Sequence, residues 1–219
     1  MFNTILFDFN GLIVDDEPIH LECFQKVLLE EEIHLTEKDY WEIYLGFDDK
    51  GLFQAIFEKN WKKPGPKKLK ELVAKKNSLY QPTIEKKMKL FPGVVDFINK
   101  VWATHVLGIV SGALYSEIEF VLKKAGVFEK FETIVSADNT KHGKPNPEGY
   151  LLALTHLKKN HPEIIPQTCL VLEDSLAGIE SAHRAGMKVC ALSHTYPRQE
   201  LQSADFVKDK FAEIGPLLV

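Results

Sequence analysis

A chain of 219 residues with a hydrophobic fraction of 45% can bury one ordinary core plus an insertion, or two small cores. Its formal net charge of −4 gives no general pull towards nucleic acid or an anionic membrane, so neither is expected as a partner. Three cysteines, Cys23, Cys169 and Cys190, cannot all pair within one chain and stand in apolar contexts, which predicts buried, reduced thiols.

The first apolar run, Ile5 to Phe7, stops at Asp8 and breaks into a turn at Asn10 and Gly11. This predicts a buried strand with Asp8 at its carboxyl end, where open parallel sheets hold their ligands. The run is too short for a signal or membrane segment, so a cytoplasmic protein is expected. From Pro18 to about Met88 the texture is helical, with no convincing strand. Leu21, Phe24, Val27 and Leu28 fall at helical spacing, as do Leu52 and Ile56, and then Leu69, Leu72, Val73 and Lys76. The block reads as a helical subdomain inserted after the first strand, with Lys63–Lys67 as a break between its helices.

From Leu90 strand and helix alternate, which predicts a parallel sheet with helices on its faces. Phe91-Pro92-Gly93 opens a helix through Trp102, and Val106–Val110 is a strand ending at Ser111-Gly112. Ser116–Ala125 is an amphipathic helix closed by Gly126. Thr133–Ser136 is the next strand, and Asn146-Pro147 cap and start a helix through Lys158. Cys169–Leu172 is a strand ending on Glu173-Asp174, after which Ser175 caps a helix to Ala185, closed by Gly186. Val189–Leu192 and Phe206-Val207 are the last strands.

Strand ends converge in a parallel sheet, so Asp8 with Asn10, Ser111 with Gly112, Lys144, and Glu173 with Asp174 are expected at one edge. Each has a plain structural use taken singly: a turn former, a local cap, a solvated cation, an acidic pair at a helix start. Together they supply a carboxylate nucleophile, a hydroxyl and backbone donor for a phosphoryl oxygen, a cation, and acidic ligands for a hard divalent metal. An anionic carboxylate approaches a phosphate ester only if a cation offsets their repulsion, which points to Mg2+ and Lys144. Asp8 and Asp174 would hold the metal, with Glu173 supporting the shell, and attack by Asp8 would give an aspartyl phosphate later cleaved by water.

These residues resemble the signatures of the haloacid dehalogenase superfamily, in the branch with a helical cap that includes β-phosphoglucomutase and many sugar-phosphate phosphatases. The first, normally Asp-x-Asp-Gly-x-x-x-Asp, stands as Asp8-Phe9-Asn10-Gly11-Leu12-Ile13-Val14-Asp15. The second is Ser111, the third Gly143-Lys144-Pro145-Asn146-Pro147, and the fourth is intact as Glu173-Asp174-Ser175-Leu176-Ala177-Gly178, followed by Ala185-Gly186-Met187. The resemblance implies a Rossmann-like core over residues 1–15 and 89–219, with an all-helical cap over 16–88. It also implies Asp8 as nucleophile, Mg2+ held by Asp8, Asp174 and the backbone carbonyl of Asn10, and phosphate bound by Ser111, Gly112 and Lys144. Glu17 and His20, in Asp16-Glu17-Pro18-Ile19-His20, resemble the cap-entry signature of family phosphatases, and in the cap Gly46 and Lys76 match positions that face the substrate in relatives. For Lys76 a solvated place in a Lys-rich helix is the alternative, and His20 could equally be a hinge or packing residue.

The departure is Asn10. The family's second Asp protonates the leaving oxygen and then activates water, and an amide does neither. Either a substitution has been introduced to slow turnover or the protein is naturally impaired, and the intact remaining signatures favour the former. The expected activity is hydrolysis of a small phosphorylated metabolite, in particular a sugar phosphate, by a monomer. A phosphomutase is the runner-up, disfavoured because Gly46-Phe47-Asp48-Asp49-Lys50 has acids where relatives place an Arg, and Gly112-Ala113-Leu114 lacks the Ser and Lys that mutases use. A non-catalytic phosphate-ligand binder is the third reading, motivated by Asn10 alone.

Overall fold

The structure, a computed structural model, describes residues 1–218. It divides into two compact units, one formed by Met1–Asp15 with Leu90–Val219 and the other by Asp16–Lys89.

The first unit is a six-stranded parallel sheet in the order β3-β2-β1-β4-β5-β6, built from β1 (Thr4–Phe7), β2 (Val106–Val110), β3 (Thr133–Val135), β4 (Cys169–Glu173), β5 (Lys188–Leu192) and β6 (Phe206–Lys208). β1 is wholly buried between β2 and β4, which explains its uninterrupted apolar run: a central parallel strand has no solvent face. Phe7 stands opposite Ile109 and Leu172, so the residues that leave β1, β2 and β4 emerge at the same edge. Gly108 lets the neighbouring strands' side chains pack closely, because an added Cβ would lie 2.8 Å from both Leu6 and Thr133 side-chain carbons. One apolar cluster fills the space between sheet and helices, from Leu6 and Val110 to Tyr150, Ile179 and Val189. Burying these side chains is worth about 1.5–3 kcal/mol each and supplies most of the unit's cohesion.

The second unit is helical: α1 (Glu17–Leu29), the single turn α2 (Glu37–Asp39) running into a wide turn over Tyr40–Tyr44, α3 (Asp49–Lys59) and α4 (Pro66–Lys87). Its own core joins Phe24, Leu28, Tyr40, Phe53, Ile56, Leu69 and Leu72. The break between α3 and α4 falls at Asn60–Gly65 rather than at Lys63–Lys67. Pro66 occupies the first turn of α4, where its missing N–H costs nothing, so Lys67 is already helical.

The remaining helices are α5 (Val94–Val101), α6 (Tyr115–Lys124), α7 (Glu148–Leu157) and α8 (Leu176–Arg184). Helix α5 begins three residues later than Phe91 because Gly93, at φ 79°, holds a left-handed turn that an α-helix cannot include. Ser175 accepts the Gly178 N–H at 3.1 Å and caps α8 as expected, whereas Pro147 stands at the cap of α7 and Asn146, one residue further out, accepts the Glu148 N–H at 3.0 Å. All three cysteines are buried and unpaired. Among the described residues no helix is long and apolar enough to cross a membrane.

Candidate active site

The sheet edge gathers side chains that are far apart in sequence. Asp8 extends β1 by one step, its N–H donating to Leu172 O at 2.9 Å, and the Ser111 N–H donates to Val135 O at the same distance. Glu173 ends β4 and Asp174 opens the turn into α8. Lys144, from the long loop before α7, donates to Asp8 Oδ1 at 2.6 Å and to Glu173 Oε1 at 2.5 Å. Ser111 Oγ donates to Asn10 Oδ1 at 3.4 Å and accepts from the Ala113 N–H at 3.1 Å. A cavity of about 30 Å³, room for roughly one water, lies beside Ser111, Gly112 and Lys144. Asp8, Asn10, Ser111, Gly112, Lys144, Glu173 and Asp174 therefore occupy one neighbourhood of the first unit.

The electrostatics of this neighbourhood are unbalanced. The carboxylates of Asp8, Glu173 and Asp174 offer oxygens within 4.8 Å of one another, and all three residues are buried. Burial raises the Asp8 carboxyl to about 7, Lys144 opposing this and Glu173 adding to it. Burial likewise lifts Asp174 well above the usual carboxylate range, reinforced by Asp8 and Glu173. Burial alone would lower the Lys144 ammonium, but Asp8 and Glu173 outweigh it and raise its pKa. One ammonium thus faces three acids, and a hard divalent cation is the species that such oxygen donors suit.

The donor set fits a metal such as Mg2+ in a particular way. Glu173 Oε1 accepts from Lys144 and from Tyr150 OH at 2.7 Å, while Oε2 accepts from the N–H groups of Asp174 and Ser175 at 3.2 and 3.3 Å and from Ser175 Oγ at 3.0 Å. Five donors exhaust the roughly four lone-pair sites of a carboxylate, leaving Asp8 and Asp174 as the residues with oxygens to offer. Gly11, at φ 71°, makes room: an added Cβ would run into Asp174 Oδ2 and Thr195 Oγ1, so only glycine lets the first loop lie this close to the acidic one.

Glu17, His20, Gly46 and Lys76 lie in the second unit. Glu17 accepts from Tyr40 OH at 2.5 Å, and burial raises its pKa. His20 stacks on Tyr80 at 4.7 Å and pairs with Asp16 at 3.1 Å. Burial and Lys76 push the imidazole down, yet Asp16 and Glu17 outweigh them and its pKa rises. Tyr80 OH also donates to Asp16 Oδ2. Lys76 is only 2% exposed, which excludes the solvated alternative; its ammonium pairs with Asp49 at 2.9 Å and lies 5.2 Å from the ring centroids of both Phe24 and Tyr80. Gly46 sits at φ 82°, on an exposed turn.

Sequence reasoning missed Tyr150, Thr195, His194 and Asp49. Tyr150 had a signal, a hydroxyl on the apolar stripe of α7, whereas Thr195 and His194 stand in a turn with no local pattern.

Comparison with known proteins gives the family and the fold. The sequence profile described as haloacid dehalogenase-like hydrolase matches residues 5–192. YhcW of Bacillus subtilis is 33% identical over 191 residues, covering 86% of this chain and 82% of its own. The phosphorylated carbohydrates phosphatase of Thermotoga maritima is 26% identical over 186 residues, covering 84% and 82%. The structure of CbbY from Rhodobacter sphaeroides in complex with phosphate has a TM-score of 0.84 at 26% identity, covering 98% of this chain and 97% of that one. The same figures hold for a CbbY mutant, with Asn in place of an Asp, in complex with xylulose-(1,5)bisphosphate.

Proposed function

We propose, for a chain that belongs to the haloacid dehalogenase-like hydrolases and is a phosphatase or phosphotransferase, the Mg2+-dependent hydrolysis of a small phosphorylated metabolite, in particular a sugar phosphate. The observation that carries this reading is the bridging of Asp8 and Glu173 by Lys144, with Asp174 alongside, at the edge where Asp8 leaves the central strand. Asp8 Oδ attacks phosphorus, forming an O–P bond as the ester oxygen departs with its electron pair and takes a proton from solvent. Water then attacks the aspartyl phosphate, giving up a proton to solvent, breaking the Asp8 O–P bond, restoring the carboxylate and releasing phosphate. Lys144 favours the ionised form of Asp8 against the pull of burial and neutralises the transferring group, while Ser111 Oγ and the backbone at Gly112 donate to phosphoryl oxygens. Asp8, Asp174 and the backbone carbonyl of Asn10 would hold the Mg2+, with Glu173 behind them fixing Lys144 and the α8 turn. Bound there, the cation supplies charge neutralisation at the phosphoryl group.

Asn10 limits the reaction, because neither protonation of the leaving oxygen nor deprotonation of water can pass through an amide. That a relative was obtained as an Asp-to-Asn mutant in complex with xylulose-(1,5)bisphosphate supports reading this chain as a binding-competent, slow form. Phosphatase is favoured over mutase because the cap lysine, Lys76, is already neutralised by Asp49. A panel of sugar phosphates assayed with Mg2+ on Asn10→Asp tests the proposal. Phosphate release from at least one member, abolished by chelation, is expected; isomerisation of β-glucose 1-phosphate without release would replace it with the mutase.

A further inference from the structure

The turn that follows β5 reaches both loops of the site. Thr195 Oγ1 donates to Asp174 Oδ2, and among the described residues it is the one side chain hydrogen-bonded to that carboxylate. His194, next to it, meets Gly11 O through Nδ1 at 3.2 Å, and since a carbonyl only accepts, Nδ1 carries the proton. The His194 ring lies flat on Phe91, 4.0 Å between centroids at 8°, with Phe211 at 5.7 Å on its flank. Phe91 is itself tied to the first loop by its N–H to Ile13 O at 3.0 Å. On the other side, Ser193 N–H donates to Lys208 O at 3.0 Å and Ser193 Oγ to Asp209 Oδ1 at 2.6 Å, which fastens the turn to the end of β6. Three successive residues therefore connect the sheet's far edge, the Gly11 turn and the Asp174 carboxylate.

We propose that Thr195, held in place by His194, is a positioning residue that aims the Asp174 carboxylate for a divalent cation, by occupying Oδ2 and thereby fixing the plane in which the carboxylate presents its remaining lone pairs. The inference rests on the metal reading given above. A carboxylate in a turn rotates about its Cβ–Cγ bond unless an outer partner holds it, and removing such partners typically costs about 10- to 100-fold in metal affinity. The missing Cβ of Gly11 is what leaves room for this pair, since a side chain there would run into both Asp174 Oδ2 and Thr195 Oγ1.

The test is Mg2+ binding by calorimetry to the full chain and to Thr195→Val, Thr195→Ala and Thr195→Ser, with thermal unfolding in chelator as the control for folding. Thr195→Val preserves the side-chain shape and removes the donor, and about 10- to 100-fold weaker Mg2+ binding is expected, with Thr195→Ser within about threefold of the parent. Thr195→Ala serves if the valine variant does not fold. In the Asn10→Asp background the same loss should appear as a raised Mg2+ requirement, with turnover at saturating Mg2+ nearly restored. Mg2+ binding within twofold of the parent in both hydroxyl-free variants would overturn the inference while leaving the proposed function standing. Absence of Mg2+ binding by the parent chain itself would overturn both.

Discussion

The two buried polar clusters of this molecule use the same residue types to opposite ends. At the sheet edge Asp8, Glu173 and Asp174 converge on one another around a single ammonium. In the helical unit each acid has a partner of its own: Asp16 has Tyr80 and His20, Glu17 has Tyr40, and Asp49 has Lys76. Convergent acids destabilise one another and leave an excess of negative charge for a cation to offset, whereas each dispersed acid is held by a partner of its own. Burial alone therefore does not mark the candidate site; buried acids that converge on one another do.

The sharpest way to break that contrast is at Asp8, the proposed nucleophile. In the Asn10→Asp background, Asp8→Asn should lower phosphate release by about 10⁴-fold or more, since removing a nucleophile abolishes the covalent route rather than weakening it. Retention of a tenth of the activity would show that another group attacks phosphorus. Asn10→Asp alone comes next: restoring a proton donor should raise turnover by about 10- to 10⁴-fold in a Mg2+-dependent assay. No change would sink the assignment of proton transfer to residue 10.

Much of the sheet edge was legible in the sequence because each of its residues follows an apolar run, and parallel topology does the rest. Asp8 after Phe7, Ser111 after Val110 and Asp174 after Glu173 needed only the expectation that strand ends meet. Lys144 came from its Gly-Lys-Pro setting and the family resemblance. What was not legible depends on contacts between turns and helices that carry no periodic signal. Tyr150 reads as one more apolar residue on α7, although its hydroxyl is spent on Glu173. Lys76 sits in a helix with many exposed lysines, and its burial follows from Asp49 and the rings of Phe24 and Tyr80, which lie on other turns. Helix boundaries moved where a glycine or proline set the geometry, as at Gly93 and Pro66.

The helical cluster should respond in stability. Asp49→Ala strands the Lys76 ammonium, and breaking a buried pair costs about 3–5 kcal/mol; with Asp49 26% exposed, water can enter, and about 2–3 kcal/mol is expected by denaturant unfolding. The double change Lys76→Met with Asp49→Leu should recover most of that loss, because removing both charges leaves nothing unpaired. A cost below about 0.5 kcal/mol for Asp49→Ala would mean the pair behaves as a surface one.

The last expectation takes the contrast to a carboxylate belonging to neither cluster. Asp205 accepts from Lys188 Nζ at 2.6 Å, the Val189 N–H at 2.9 Å and His183 at 3.0 Å. Burial works to raise its pKa, but these donors more than offset it and bring the carboxyl down from 3.8 to about 2, whereas Asp8 is pushed up from the same value to about 7. A folded-state pKa below the unfolded one stabilises the ionised fold, so the contribution is fully present above pH 3.8 and is lost as pH falls through about 2. Asp205 stands at the surface, where solvent screening cuts the worth of that shift to about 1 kcal/mol. Asp205→Asn should therefore lower stability by about 1 kcal/mol at neutral pH and flatten its decline between about pH 4 and pH 2, measured by denaturant midpoints across that range. An unchanged acid limb would show that those donors do not hold the carboxylate in the folded chain, and that the opposite directions at Asp8 and Asp205 do not follow from convergent against dedicated partners.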